Sequence, residues 1–312
     1  MRTNLMLSAV GAFVLLAAGA VLLPDWAMFL CAMALAKGLV SLGIVGMMRG
    51  GLVSFGQGLY YCLGAYTATL VAGQLGVSDI FLLTLLSAGV CLVVGALFGP
   101  LLAGYRGIFF AMLSLALSMV LYGTLAKLTV LGGTDGLNIG APTFFGWDPE
   151  GRALQTALYL YVAVLVVVAG TLMRIYFDSE QGLITLATRD NELRVEYLGA
   201  SVRTVMSYNY VFGAVLGGIG GTIAALALGH VDPEFAFWTT SGEFVFVAIL
   251  AGYLSVPAVF VAAIILEMVR SFSNLYFPNT WQLALGIFLL IVIVVLPNGL
   301  GSLVRRRKGD AT

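Results

Sequence analysis

Charge is scarce in this chain: only 10% of its 312 residues are Asp, Glu, Lys or Arg. The run "TRDNELRVEYLGASVR" (Thr188–Arg203) nevertheless gathers Arg189, Asp190, Glu192, Arg194, Glu196 and Arg203. Such a cluster can cap a helix, pair across one, or grip another protein. Lys37 stands alone in an apolar stretch, where a charge costs roughly 2.5–3.5 kcal/mol on insertion scales. It needs an acidic partner or a wet cavity, and Glu243 and Glu267 are the candidates in kind. A structural ion pair and a transport role both fit it. His230 lies beside Asp232 and Glu234, a set that reads as a metal site or, more plainly, as an interfacial loop.

Two further runs carry polar groups among glycines. Ser54–Tyr66 contains Ser54, Gln57, Gly58, Tyr60, Tyr61, Gly64 and Tyr66. Small residues let helices approach closely in lipid, so one reading is helix packing. The other is the wall of a pathway, with Ser54, Gln57 and tyrosine hydroxyls facing a polar solute. Thr134 and Asp135 lie in "GGTDGL", where Asp135 and Gly136 suit a turn. No G-x-x-x-x-G-K-[ST] loop occurs. With one histidine and no cysteine–histidine cluster, no catalytic constellation, metal site or cofactor is expected. Basic and acidic residues balance at 15 each, which gives no electrostatic case for nucleic acid.

The elements that must position these groups are membrane spans. Hydrophobic residues make up 61% of the chain, and its mean hydropathy is +1.03. An apolar run of about 20 residues crosses a hydrocarbon core of roughly 30 Å. Spans are expected at about 6–23, 27–47, 51–73, 80–104, 107–130, 154–173, 204–229 and 281–297. The segment at about 243–268 is interrupted by "LAGYLSVP" (Leu250–Pro257) and reads as two half-helices that enter from one side and return. Cys31, Cys62 and Cys91 all fall in apolar segments and read as packing residues. The fold class is therefore all-α and polytopic, with about eight full transmembrane helices plus a re-entrant helical pair, in one domain over 1–312.

Lys and Arg are retained on the cytoplasmic side. An N-terminus placed inside puts Arg2, Arg49, Arg106, Arg174, Arg189, Arg194, Arg203 and the tail Arg305–Lys308 inside as well. Both termini are then cytoplasmic, with external loops at about 131–153 and 230–242. The stretch of about 174–203 becomes a cytoplasmic loop. Within it, Asp190 or Thr188 is expected to cap a short helix, Asp190 and Arg194 to pair at i,i+4, and Gly199 to end it in the left-handed conformation. Leu193, Tyr197 and Leu198 share one face of that helix, and Glu192 and Glu196 another. The apolar edge needs a cover.

The run "RDNELRVEYLGASV" resembles the coupling loop of branched-chain amino acid importer permeases of the Liv type, M-like subunit. "SFGQGLYYCLGAYTATL" (Ser54–Leu70), "GGTDGLNIGAP" (Gly132–Pro142) and "WQLALGIFLLIVIVVLPNGLGSL" (Trp281–Leu303) are similar to other stretches of that family, in its order. The resemblance implies a non-enzymatic permease subunit of a bacterial inner-membrane ABC importer. It implies two cytoplasmic ATPase subunits, a second, H-like permease and an extracytoplasmic binding protein as partners. Arg189, Asp190, Asn191, Glu192, Leu193, Arg194, Glu196, Tyr197, Leu198 and Gly199 would carry the ATPase contact. Ser54, Gln57, Gly58, Tyr60, Tyr61, Gly64, Tyr66 and Lys37 would line the pathway, and Thr134 and Asp135 would meet the binding protein. The glycine seam of "FGAVLGGIGGTIAALALG" (Phe212–Gly229) would pack tightly against another helix, with the partner permease as one candidate neighbour. A family member for urea or short amides, or a stand-alone ion-coupled transporter, is the alternative.

Overall fold

The long apolar runs fold as helices because lipid offers no partner to a free backbone N–H or C=O. The computed structural model describes residues 2–276, 278, 280–296 and 299–302. The elements are α1 (Arg2–Leu22), α2 (Asp25–Arg49), α3 (Gln57–Leu75), α4 (Ile80–Leu102), α5 (Gly107–Lys127), α6 (Arg152–Phe177), α7 (Glu180–Asp190), α8 (Glu192–Tyr197), α9 (Val202–Leu228), α10 (Trp238–Ala251), α11 (Val256–Tyr276) and α12 (Trp281–Val295). Among the described residues six helices are long and apolar enough to cross a membrane. The outward faces of α4 (Leu85, Val93, Leu97) and α5 (Ile108, Phe109, Met112) are exposed hydrocarbon, which suits lipid and not water. The basic tail, Arg305–Lys308, lies outside the described residues.

Helix α9 forms the axis, packed against α2, α3 and α4. Its glycines allow this. A Cβ at Gly43 would stand 2.6 Å from the Cα of Gly213, and one at Gly64 or Gly221 would strike the facing backbone of Gly218 or Tyr61. The tight seam expected here, for which a partner permease was one candidate neighbour, is filled within this chain by α2 and α3. Cys91 sits under Gly218, and its thiol faces the Tyr60 carbonyl at 3.6 Å. Around this axis α6 packs on α2, α11 on α2, and α10 on α2 and α11. Helix α1 lies outside α6, and α12 outside α11.

Two segments begin in irregular backbone before their helices start. Residues 51–56 run irregularly before α3 begins, so the helix expected from 51 starts six residues later. Pro233–Ala236 form a 3-10 turn before α10. Apart from the exposed Gly51 and Glu234, both irregular stretches turn inward, where serines bond the backbone. The Phe55 N–H donates to Ser114 Oγ (3.2 Å), Gly56 N–H to Ser54 Oγ (3.2 Å) and Gly58 N–H to Ser241 Oγ (3.0 Å). Ser118 Oγ donates to the Ala236 carbonyl (2.7 Å). At the helical rise of 1.5 Å per residue, Ser114 and Ser118 lie about 10 and 16 Å along α5. The starts of α3 and α10 therefore meet deep in the bundle.

The break in 243–268 falls in "LAGYLSVP", where Gly252 has φ 74°. The first arm, α10, is short at 14 residues, but the second differs from the expected half-helix. At 21 residues α11 is about 31 Å long, a full crossing. The turn between the arms reaches the end of the bundle that carries α7: Arg189 lies 3.8 Å over the Tyr253 ring, and Leu300 N–H donates to the Leu250 carbonyl at 2.9 Å. Gly252 and Pro257 are helix punctuation at the end of a crossing, not a fold at its midpoint.

Candidate functional site

The charged run forms two helices instead of one. Ser179 caps α7, accepting from Gly182 N–H at 3.4 Å. Asn191 then takes an extended conformation (φ −159°, ψ 102°), and its Oδ1 accepts from Arg194 N–H at 2.9 Å, which starts α8. Asn191 is thus the cap, in place of Asp190 or Thr188. A short amide that can bond the backbone locally competes with the helix and cuts it. Asp190 closes α7 while Arg194 belongs to α8, so the expected i,i+4 register between them is broken. Thr188 bonds backward to the Ile184 carbonyl (2.8 Å). Gly199 is left-handed at φ 87°, as its position after Leu198 suggested.

The α7–α8 unit is braced on several membrane elements. Glu192 forms a forked pair with Arg106 in the α4–α5 turn: Nη2 to Oε1 is 2.7 Å, and Nε lies 2.8 and 2.9 Å from the two oxygens. Arg106 also donates to the carbonyls of Ala103 and Tyr105, which fixes the fork. Arg189 stacks on Tyr253 in the α10–α11 turn. Asn209 of α9 donates to Thr185 of α7 (3.0 Å), and Val195 is buried. Leu193, Tyr197 and Leu198, by contrast, are 65%, 89% and 82% exposed. This is a rigid knob with a greasy tip. Sequence reasoning missed Arg106 and Tyr253, whose only signal was a cation or an aromatic in a short glycine-flanked turn.

Lys37 finds both acids singled out for it. Its Nζ lies 2.8 Å from Glu267 Oε2 and 3.3 Å from Glu243 Oε2. Arg270, one turn past Glu267 on α11, adds a second cation 3.3 Å from Glu243 Oε2. Among the described residues two cations and two carboxylates make a neutral set that ties α2 to α10 and α11 around a cavity of about 10 Å³. Arg270 was not singled out from sequence, although its i,i+3 spacing from Glu267 was visible.

The Ser54–Tyr66 residues divide. Ser54 serves the local backbone, Gly58 and Gly64 admit close neighbours, and Tyr60 packs edge-on to Tyr210 at 5.6 Å between centroids. Tyr61 lies 5.0 Å from both Phe235 and Phe244, and Tyr66 is buried. Gln57, the first residue of α3, is fully buried, and neither amide atom has a hydrogen-bond partner among the described residues. It faces Gly213 and Gly217 of α9, level with Met47. Lys37 sits about 15 Å from Met47 along α2, so it stands well apart from the Gln57 amide.

At the opposite end, Gly133–Asp135 form a 3-10 turn with Gly136 at φ 72°, and Thr134 and Asp135 are exposed. A short antiparallel pair joins β1 (Leu137–Asn138) to β2 (His230–Val231), and His230 Nδ1 lies 2.8 Å from Asn138 Oδ1. His230 therefore joins two loops.

Residues 26–296 match the family described as the permease component of branched-chain amino acid transport systems. The chain belongs to this family. The chain is 28% identical over 280 residues to the high-affinity branched-chain amino acid transport system permease protein LivM of Escherichia coli K12, covering 82% of this chain and 65% of that relative. The Salmonella typhimurium LivM is 27% identical over the same extent. LivH of Escherichia coli K12 is 21% identical over 272 residues, 83% of this chain and 86% of that relative. The match thus spans just under two thirds of the LivM relatives' length. No solved structure matches the chain.

Proposed function

We propose that this permease is a membrane-crossing subunit of an ATP-driven importer for branched-chain or related hydrophobic amino acids. Its relatives' names supply the solute, and the α7–α8 knob supplies the mechanism. The observation that carries the reading is the exposed tip of Leu193, Tyr197 and Leu198 on a unit pinned to the α4–α5 turn, the α10–α11 turn and α9. A cytoplasmic ATPase groove would cover that apolar tip. Movement of the knob would then pull three membrane elements together, because a forked ion pair and a stacked guanidinium resist shear. Arg189, Asp190, Asn191, Arg194, Glu196 and Gly199 would set the register of the contact.

Sidedness follows the same reading. Arg49, Arg106, Arg174, Arg189, Arg194 and Arg203 gather at the α7–α8 end, which supports a cytoplasmic face for that end, with both termini inside. Thr134 and Asp135, at the other end, would meet a solute-laden binding protein, and an H-like permease would complete the pathway. The buried set around Lys37 is what an ion-coupled carrier would use instead. Uptake of leucine into liposomes holding this chain, with and without its ATPases, separates the two. The importer reading predicts uptake only with ATPases and ATP. Uptake by the chain alone under an ion gradient would overturn it.

A further inference from the structure

Gln57 is the least expected residue of the interior. A buried amide without partners is costly, and an unbranched apolar side chain of the same length would spare that cost. Native proteins satisfy nearly all buried polar groups, and exceptions concentrate where function requires them. The surroundings of Gln57 point the same way. It opens α3, a 19-residue helix, beside the start of the 14-residue α10, whose Ser241 accepts from Gly58 N–H at 3.0 Å. Two helix N-termini, each carrying partial positive charge, therefore lie side by side deep in the bundle. Opposite the amide, α9 offers bare backbone. A Cβ on Gly213 would lie 3.0 Å from Gln57 Nε2, and one on Gly217 would lie 3.0 Å from Oε1.

Resting on the importer reading above, we propose that Gln57 reads the polar end of the passing solute. Nε2 donates to the carboxylate of an amino acid, Oε1 accepts from its ammonium, and the two helix N-termini favour the carboxylate's charge. The glycine face of α9 parts from α3 to admit the solute, whose apolar side chain then meets Met47 and Tyr60. In the closed bundle the amide stands ready and unpaired among the described residues, and its desolvation favours opening toward solute.

The test uses the full complex of both permeases, ATPases and leucine-loaded binding protein in proteoliposomes, with the thermal midpoint of the solubilised permease measured in parallel. Gln57→Met keeps the length and removes both polar atoms. It is expected to raise the midpoint by a few degrees while lowering maximal leucine uptake at least tenfold, with ATPases still bound. Gln57→Glu, which removes the donor and repels a carboxylate, is expected to transport still less. Uptake by Gln57→Met within twofold of the unaltered complex would overturn the proposal, as would midpoint and uptake falling together, the mark of a merely structural amide. So would a Gln57→Glu complex that transports better than Gln57→Met. If Gln57→Met does not assemble, Gly213→Ala decides, since it leaves the amide and adds a methyl against Nε2. A threefold or greater loss of uptake supports the proposal, and undiminished uptake overturns it. An unaltered complex that fails to move leucine with ATP would count against the importer reading itself, a separate result.

Discussion

Replacing Lys37 with methionine deletes one cation from the buried set that joins α2 to α10 and α11. Glu267 and Glu243 stand 2.8 and 3.3 Å from its Nζ. At an effective dielectric constant of about 20, unit charges at those separations attract by roughly 5–6 kcal/mol each before desolvation is counted. Desolvation offsets much of this in the intact set. Removing one member alone leaves two carboxylates facing one guanidinium, and breaking a buried pair in this way costs about 3–5 kcal/mol. Each kcal/mol lowers the unfolding midpoint by about 2–4 °C for 150–250 residues and by about 2 °C for a longer chain, so Lys37→Met should lower it by roughly 5–10 °C. Adding Glu267→Gln restores neutrality, leaving Glu243 with Arg270 at 3.3 Å, and should recover most of the loss. The assay is thermal unfolding of the solubilised permease across the two single variants and the double. Additive destabilisation, with the double worse than either single, would refute the reasoning, because it would mean that the charges do not sense one another. Uptake measured on the stable double variant then separates the two roles left open for Lys37: a structural pair predicts restored transport, a pathway role predicts continued loss.

The Arg106–Glu192 fork gives a second prediction. Arg106→Glu or Glu192→Arg alone should uncouple ATP hydrolysis from uptake at least fivefold, and the charge-swapped double should regain part of the coupling, read as leucine moved per ATP hydrolysed. At the α3–α9 seam, Gly64→Ala drives a methyl into the Gly218 backbone and should cost about 1–3 kcal/mol as overpacking, seen as a lower unfolding midpoint. Asn191→Ala removes the cap of α8 and should cost about 1 kcal/mol locally, seen as faster amide exchange over Glu192–Leu198 with the transmembrane helices unchanged.

Much of the fold could be read from apolar length alone, because lipid forces any long apolar run into a helix. The partners of Lys37 were also legible, since a lone cation in such a run requires an acid and few acids were on offer. Gly199 announced its left-handed turn by position. Other features were hidden because hydropathy reports burial and not backbone shape. Residues 51–56 are as apolar as a helix yet run irregularly, and only Gly51, Ser54 and Gly56 hinted at it. Asn191 looked like one polar residue among many until its backbone was seen to cut the charged run in two. The depth of the Gly252 turn depended on Tyr253 meeting Arg189, a contact between residues far apart in sequence. The glycines of α9 signalled close packing without naming the neighbour, which proved to be α2 and α3.

The account depends most on the α7–α8 knob standing in the cytosol. Tyr197 at its tip is 89% exposed, so a cysteine there should react freely with a membrane-impermeant maleimide from whichever side it faces. The account predicts labelling of Tyr197→Cys in inverted vesicles, blocked when the ATPases are bound, and none in right-side-out vesicles. Labelling from the outer face would contradict it.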